Sequence, residues 1–147
     1  MKESIKHPES FDDNFATNEI PTVSREKGVS SMIRLQTEKG EVSISDAALS
    51  NITGAAATSC FGVKGMAYRS MTDGLVHLLR REAMSKGVRI IPHEEGDISI
   101  ELHIVVEHGV NIAAVCRSII NQVRYMVSEN TGASIRSIDV CVDSMNL

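Results

Sequence analysis

Tryptophan is absent from this sequence, and aromatic residues make up only 3% of it. That leaves few platforms for stacked bases and obliges any core to be built from Ile, Val, Leu, Met and Ala. Cysteine is sparse too: Cys60, Cys116 and Cys141 lie far apart, include no C-x-x-C pair and are odd in number, so they read as reduced thiols of a cytoplasmic protein. No run of ~18 apolar residues occurs, and the start MKESIKHPESFDDNF lacks the apolar stretch of a signal peptide. The expectation is a cytoplasmic chain without direct membrane insertion. Nor is there an excess of positive charge: a net charge of −4 argues against a general phosphate-binding surface and makes nucleic acid the weaker expectation.

What is present suits one folded unit. The chain has 147 residues, of which 42% are hydrophobic and 23% charged, an ordinary balance for a single globular domain. Residues 1–31 mix charges, Ser, Thr, Asn and Pro without a period, and Pro8 and Pro21 discourage regular structure. They read as a mobile tail ahead of a single α+β domain over residues 32–147. Within residues 1–38 five Lys and Arg face seven acids, so the tail is no basic arm, although a docking role stays open.

Order is expected from Met32. Ile33 and Leu35 alternate with polar residues, Lys39-Gly40 reads as a turn, and Glu41–Ile44 continues the strand pattern. Ser45 stands as a helix N-cap with Asp46 in the first turn, and Leu49, Ile52 and Ala56 follow at helical spacing. Gly54 inside that helix implies close packing against another element. Leu75, Leu78 and Leu79 predict a second helix over residues 73–84, and Val88–Ile90 a strand after it. Ile98, Ile100, Leu102, Ile104 and Val106 alternate with Ser99, Glu101, His103, Val105 and Glu107, which predicts a strand with one buried face and one largely wet face. Asn111 reads as the N-cap of a third helix whose stripe is Ile112, Val115, Ile119, Val123 and Met126, stopped at Thr131-Gly132. In the last strand Ile138, Val140 and Val142 should face inward and Asp139, Cys141 and Asp143 outward. The order β-α-α-β-β-α-β predicts an α+β two-layer sandwich, a mostly antiparallel sheet covered by helices.

Two stretches in this order, GEVSISDAALSNITGAAATSCFGVKGMA and GVRIIPHEEGDISIELHIVVEHGVNIAAVCRSIINQVRYMVSENTG with the following SIRSIDVCV, resemble the alkaline shock protein family, the envelope stress response proteins of Gram-positive bacteria. The resemblance spans residues 39–142; Asp139, where many members carry Asn, and the segment 67–73 depart from it. It implies a non-enzymatic cytoplasmic scaffold of cell-envelope homeostasis. Such a scaffold self-associates as a homo-oligomer and gathers at the inner face of the cell membrane through a membrane-anchored protein partner. It implies no catalytic residues and no cofactor.

Other signals compete with that reading. Gly62-Val63-Lys64-Gly65 is a literal G-x-x-G placed between two predicted helices, as in the KH loop that clamps a nucleic-acid backbone. An RNA-binding module using Gly62, Lys64 and Gly65 is therefore the alternative; the plainer reading is a packing turn. His93, His103, His108, Glu101 and Glu107 combine residue types that suit zinc. Strand neighbours two apart lie ~6.6–6.8 Å from each other, however, and nothing fixes another ligand, so a solvated polar face is expected. Cys116 reads as a buried thiol and Cys141 as one on the outer face, with no base assignable to either. No G-x-S-x-G, P-loop or dinucleotide fingerprint occurs. The last strand, if it is an edge, offers a route to self-association. Glu101, His103, Glu107, Asp139 and Asp143 are then the candidate contact residues, because they project from strands whose other face is core.

Overall fold

The structure, a computed structural model, describes residues 20–24, 32–69, 72 and 74–146. Strands β1 (Ile20–Ser24), β2 (Met32–Thr37) and β3 (Gly40–Ser45) form an antiparallel sheet in the order β1-β2-β3. Five residues of the segment expected as a tail thus pair with β2; the rest of that segment lies outside the described residues. Pro21 sits on the outermost strand of this sheet, the position in a sheet where proline is tolerated.

Helix α1 (Asp46–Thr58) follows at once, and the Ser45 side chain accepts a hydrogen bond from Ala48 N at 3.2 Å, so the expected cap is in place. Leu49, Ala56 and Ala57 are buried. Gly54 earns its place by contact: a Cβ there would lie 2.8 Å from Met84 Sδ.

A second sheet is built around one central strand. Strand β4 (Val63–Arg69) and strand β6 (Val88–Pro92) pair in turn with the upper and lower parts of β7 (Ile98–Glu107), both antiparallel. The short β5 (Val76–Leu78) pairs with the outer side of β4. Strand β8 (Ile135–Asn146) runs along the opposite side of β7, parallel to it, an arrangement that the crossover helix α2 (Ile112–Thr131) makes possible. The fold is α+β with mostly antiparallel sheets, as the alternation of patterns predicts, β7 and β8 being the one parallel pair among the described strands.

The second predicted helix is absent. Residues 76–78 form β5, and a 3-10 helix occupies Arg81–Gly87. Gly74, with φ +68°, turns the chain just before β5. Three leucines in five residues cannot by themselves distinguish a helix turn from a strand and a bend, and pairing with β4 decides for the strand. Leu79 packs against the core while Leu75 and Leu78 stay exposed.

Ile98, Ile100, Leu102, Ile104 and Val106 are each fully buried and share one core with Val115, Ile119, Val123 and Val127 of α2 and Leu49 of α1. The α2 stripe begins one turn later than expected, since Ile112 is exposed and Val127 buried. Its ends match the sequence reading: Asn111 Oδ1 accepts from Ala114 N at 3.1 Å, and Gly132 takes the left-handed conformation while its N–H donates to Ser128 O at 2.8 Å. No described helix is long and apolar enough to cross a membrane.

A polar cluster on the outer face of the sheet

The face of β7 turned away from the helices is drier than alternation alone predicts. Val105 is only 7% exposed. It borders a hollow shared with Val76 and Leu78 of β5 and Ser144 and Met145 of β8, so the β5 excursion shields this end of the sheet. Ser99, at the other end, is also buried. Its hydroxyl sits 2.7 Å from His93 Nε2 and accepts from Ser137 Oγ at 2.9 Å.

Between these ends the parallel register of β7 and β8 assembles three of the candidate contact residues. Residues 101, 103 and 104 of β7 stand beside 139, 141 and 142 of β8. A register shift after Ile104 leaves Asp143 as an extra residue, which brings its carboxylate over the β7 imidazole. His103 Nδ1 lies 3.0 and 3.1 Å from the two oxygens of Asp143, and His103 Nε2 lies 3.0 Å from Glu101 Oε1. Two carboxylates can accept from both ring nitrogens only if both carry protons, so the arrangement favours the imidazolium. Burial alone would push the His103 pKa down, but hydrogen bonds and charge from Glu101 and Asp143 outweigh it and hold the pKa above the ordinary histidine value. The His103 side chain keeps a third of its surface open, whereas that of Asp143 is 11% exposed.

Asp139 and Glu107 do not join this cluster. Asp139 is exposed on β8 beside Glu101, and Glu107 is exposed at the end of β7, where its N–H donates to Gly62 O at 2.9 Å. Cys141, beside His103, has its pKa raised by burial and by the nearby Glu101, Asp143 and Asp139; burial raises that of Cys116 as well. Both thiols are thereby kept protonated and poorly nucleophilic. Among the described residues no group of three or more His, Cys, Asp and Glu side chains is placed to hold a metal ion. His93 and His108 turn instead to Ser99 and to Met145 Sδ.

Sequence reasoning missed the cross-strand partnerships. His103 with Asp143 and Ser99 with Ser137 follow from the parallel register, which no single-strand pattern contains. Arg136 is a further case: its Nε donates to Asp97 Oδ2 at 2.8 Å and its Nη2 reaches both Asp97 and Glu95, tying β8 to the turn before β7.

The G-x-x-G segment is placed differently from expectation. Gly62, with φ +86°, makes the turn after α1, but Val63, Lys64 and Gly65 already belong to β4. A Cβ on Gly65 would lie 2.9 Å from Leu78 Cδ1. The loop therefore leads into a strand, not a second helix, and both of its glycines are buried, so the helix-loop-helix setting of a KH clamp is missing.

A family model with a cell envelope-related function, that of the alkaline shock proteins, matches residues 34–147. The chain belongs to that family. The alkaline shock match covers the complete second sheet, both α-helices and most of the first sheet. Among alkaline shock relatives, the uncharacterized protein YloU of Bacillus subtilis (strain 168) is 32% identical over 78% of this chain and 96% of its own length. The uncharacterized protein Spy1614 of Streptococcus pyogenes is 29% identical over 78% and 95%. A solved nickel form of MamM CTD superposes at TM-score 0.40 with 18% identity, covering 66% of this chain and 95% of that one, a likeness too slight to bear on function.

Proposed function

We propose that this chain is a non-enzymatic cytoplasmic scaffold of cell-envelope homeostasis. In this reading it self-associates along the free edge of β8 and docks to a membrane-anchored protein partner at the inner face of the cell membrane. The observation that carries the reading is β8 itself: twelve residues long, paired among the described residues with β7 alone. Such an edge presents unpaired N–H and C=O groups to which another chain can add. The family's envelope-related function supplies the context, and the protonated thiols and the imidazole saturated by two carboxylates are poor catalytic equipment.

The structure also selects the variant to make. Asp143 is engaged with His103, so replacing it perturbs the sheet as well as its surface, whereas Asp139 is exposed on the edge strand. Asp139→Lys is expected to reduce the oligomer mass measured by light scattering while leaving the thermal midpoint unchanged. An unchanged mass would remove the β8 edge as the contact surface.

A further inference from the structure

Where α1, β4 and the 3-10 helix meet, an open cavity of about 370 Å³ is floored by Ala55, Met66, Leu79 and Met84 and flanked by Lys64 and Arg81. It shares no residue with the His103 cluster. Neither cation has a carboxylate within ion-pair distance among the described residues. An apolar floor beneath two positive charges is complementary to an aromatic ring flanked by carboxylates, and a guanidinium can also lie over the face of such a ring.

The chain carries a segment of this chemistry. Glu9-Ser10-Phe11-Asp12-Asp13-Asn14-Phe15 places three carboxylates around two of the three Phe residues in the whole sequence, and it precedes β1, which begins at Ile20. The described core contains no aromatic side chain, and this acidic stretch holds most of the phenylalanine in the sequence. We propose that residues 9–15 dock into this cavity, with a Phe ring against Met66, Leu79 and Met84 and with Asp12 and Asp13 facing Lys64 and Arg81. The docking goes beyond the assembly reading and rests on no part of it.

The test uses the full chain with ¹³C-labelled Met methyl groups. Met66 and Met84 line the cavity, and Met126 and Met145 report elsewhere. Phe11→Ser with Phe15→Ser is expected to abolish the ring-current displacement of the Met66 and Met84 methyl signals and to leave Met126 and Met145 in place. Lys64→Glu with Arg81→Glu should produce the same loss, and adding Asp12→Lys with Asp13→Lys should restore the displaced signals. Displacement that fades on dilution would assign the segment to a neighbouring copy, and displacement independent of concentration would assign it to the same chain; both support the docking. Met66 and Met84 signals unchanged by removal of the two Phe rings would overturn it, and failure of the charge swap to restore them would overturn the pairing of the acids with Lys64 and Arg81. A failed β8 assembly reading would appear instead as an unchanged mass with these shifts intact.

Discussion

His103 is where the sheet's outer face is most sensitive to solution conditions. Its folded pKa lies above its unfolded value of about 6.5, so its stabilising effect is fully present below that unfolded value and is lost as pH rises through the raised folded one. In thermal melts across that window, wild type should lose its advantage over His103→Gln as pH rises; a gap that widens with pH would contradict the imidazolium assignment. Asp143→Asn, which removes one of the two carboxylates, should lower the His103 pKa in an NMR titration. Glycine positions make sharper demands. Gly62 combines φ +86° with a would-be Cβ 2.9 Å from Val115 Cγ2, so Gly62→Ala should cost at least about 1–2 kcal/mol in urea unfolding, the usual penalty of a left-handed backbone for a residue with a Cβ. The loss falls on folding, not on phosphate binding, because this glycine serves the turn between α1 and β4.

At the level of elements, α2 is the helix whose cap and packing are most completely specified. Asn111→Ala removes the bond to Ala114 N and is expected to destabilise the domain by about 1 kcal/mol. Val123→Ala, in the buried stripe, should cost more than the cap because it leaves a void against β7. A cap variant as costly as the core variant would mean that the helix end is held by something other than Asn111. This helix, α1 with its Ser45 cap, and β7 were all legible in the sequence, because a cap residue followed by a 3.6-residue period, or a strict alternation over ten residues, has few other solutions. The stretch around Leu75 and Leu78 was not, since its outcome depends on pairing with β4, and residues 76–78 carry no local period long enough to reveal it. The same limit explains the candidate site. Glu101, His103 and Asp143 could each be placed on an outward strand face, but their union depends on β8 lying parallel to β7 with a register shift after Ile104, a tertiary fact.

For the whole molecule, the decisive feature is a sheet closed on one face by helices and, among the described residues, left open at one long edge. Its outer face is not a plain solvated surface: β5 shelters Val105, Arg136 pins β8 to the Asp97 turn, and the His103 cluster locks the edge strand β8 to the central strand β7. Such a stiffened edge is suited to repeated pairing, since little ordering of the strand remains to be done on contact. In a host that carries the membrane partner, the tagged chain recovered from detergent-solubilised lysate should bring a membrane protein and untagged copies of itself that survive nuclease treatment; partners lost with digested RNA would contradict the scaffold reading. The most direct measurement is simpler. Light scattering on the purified intact chain over a concentration series should give masses at multiples of 16.0 kDa that rise with concentration, whereas a mass fixed at 16.0 kDa throughout would contradict assembly through β8.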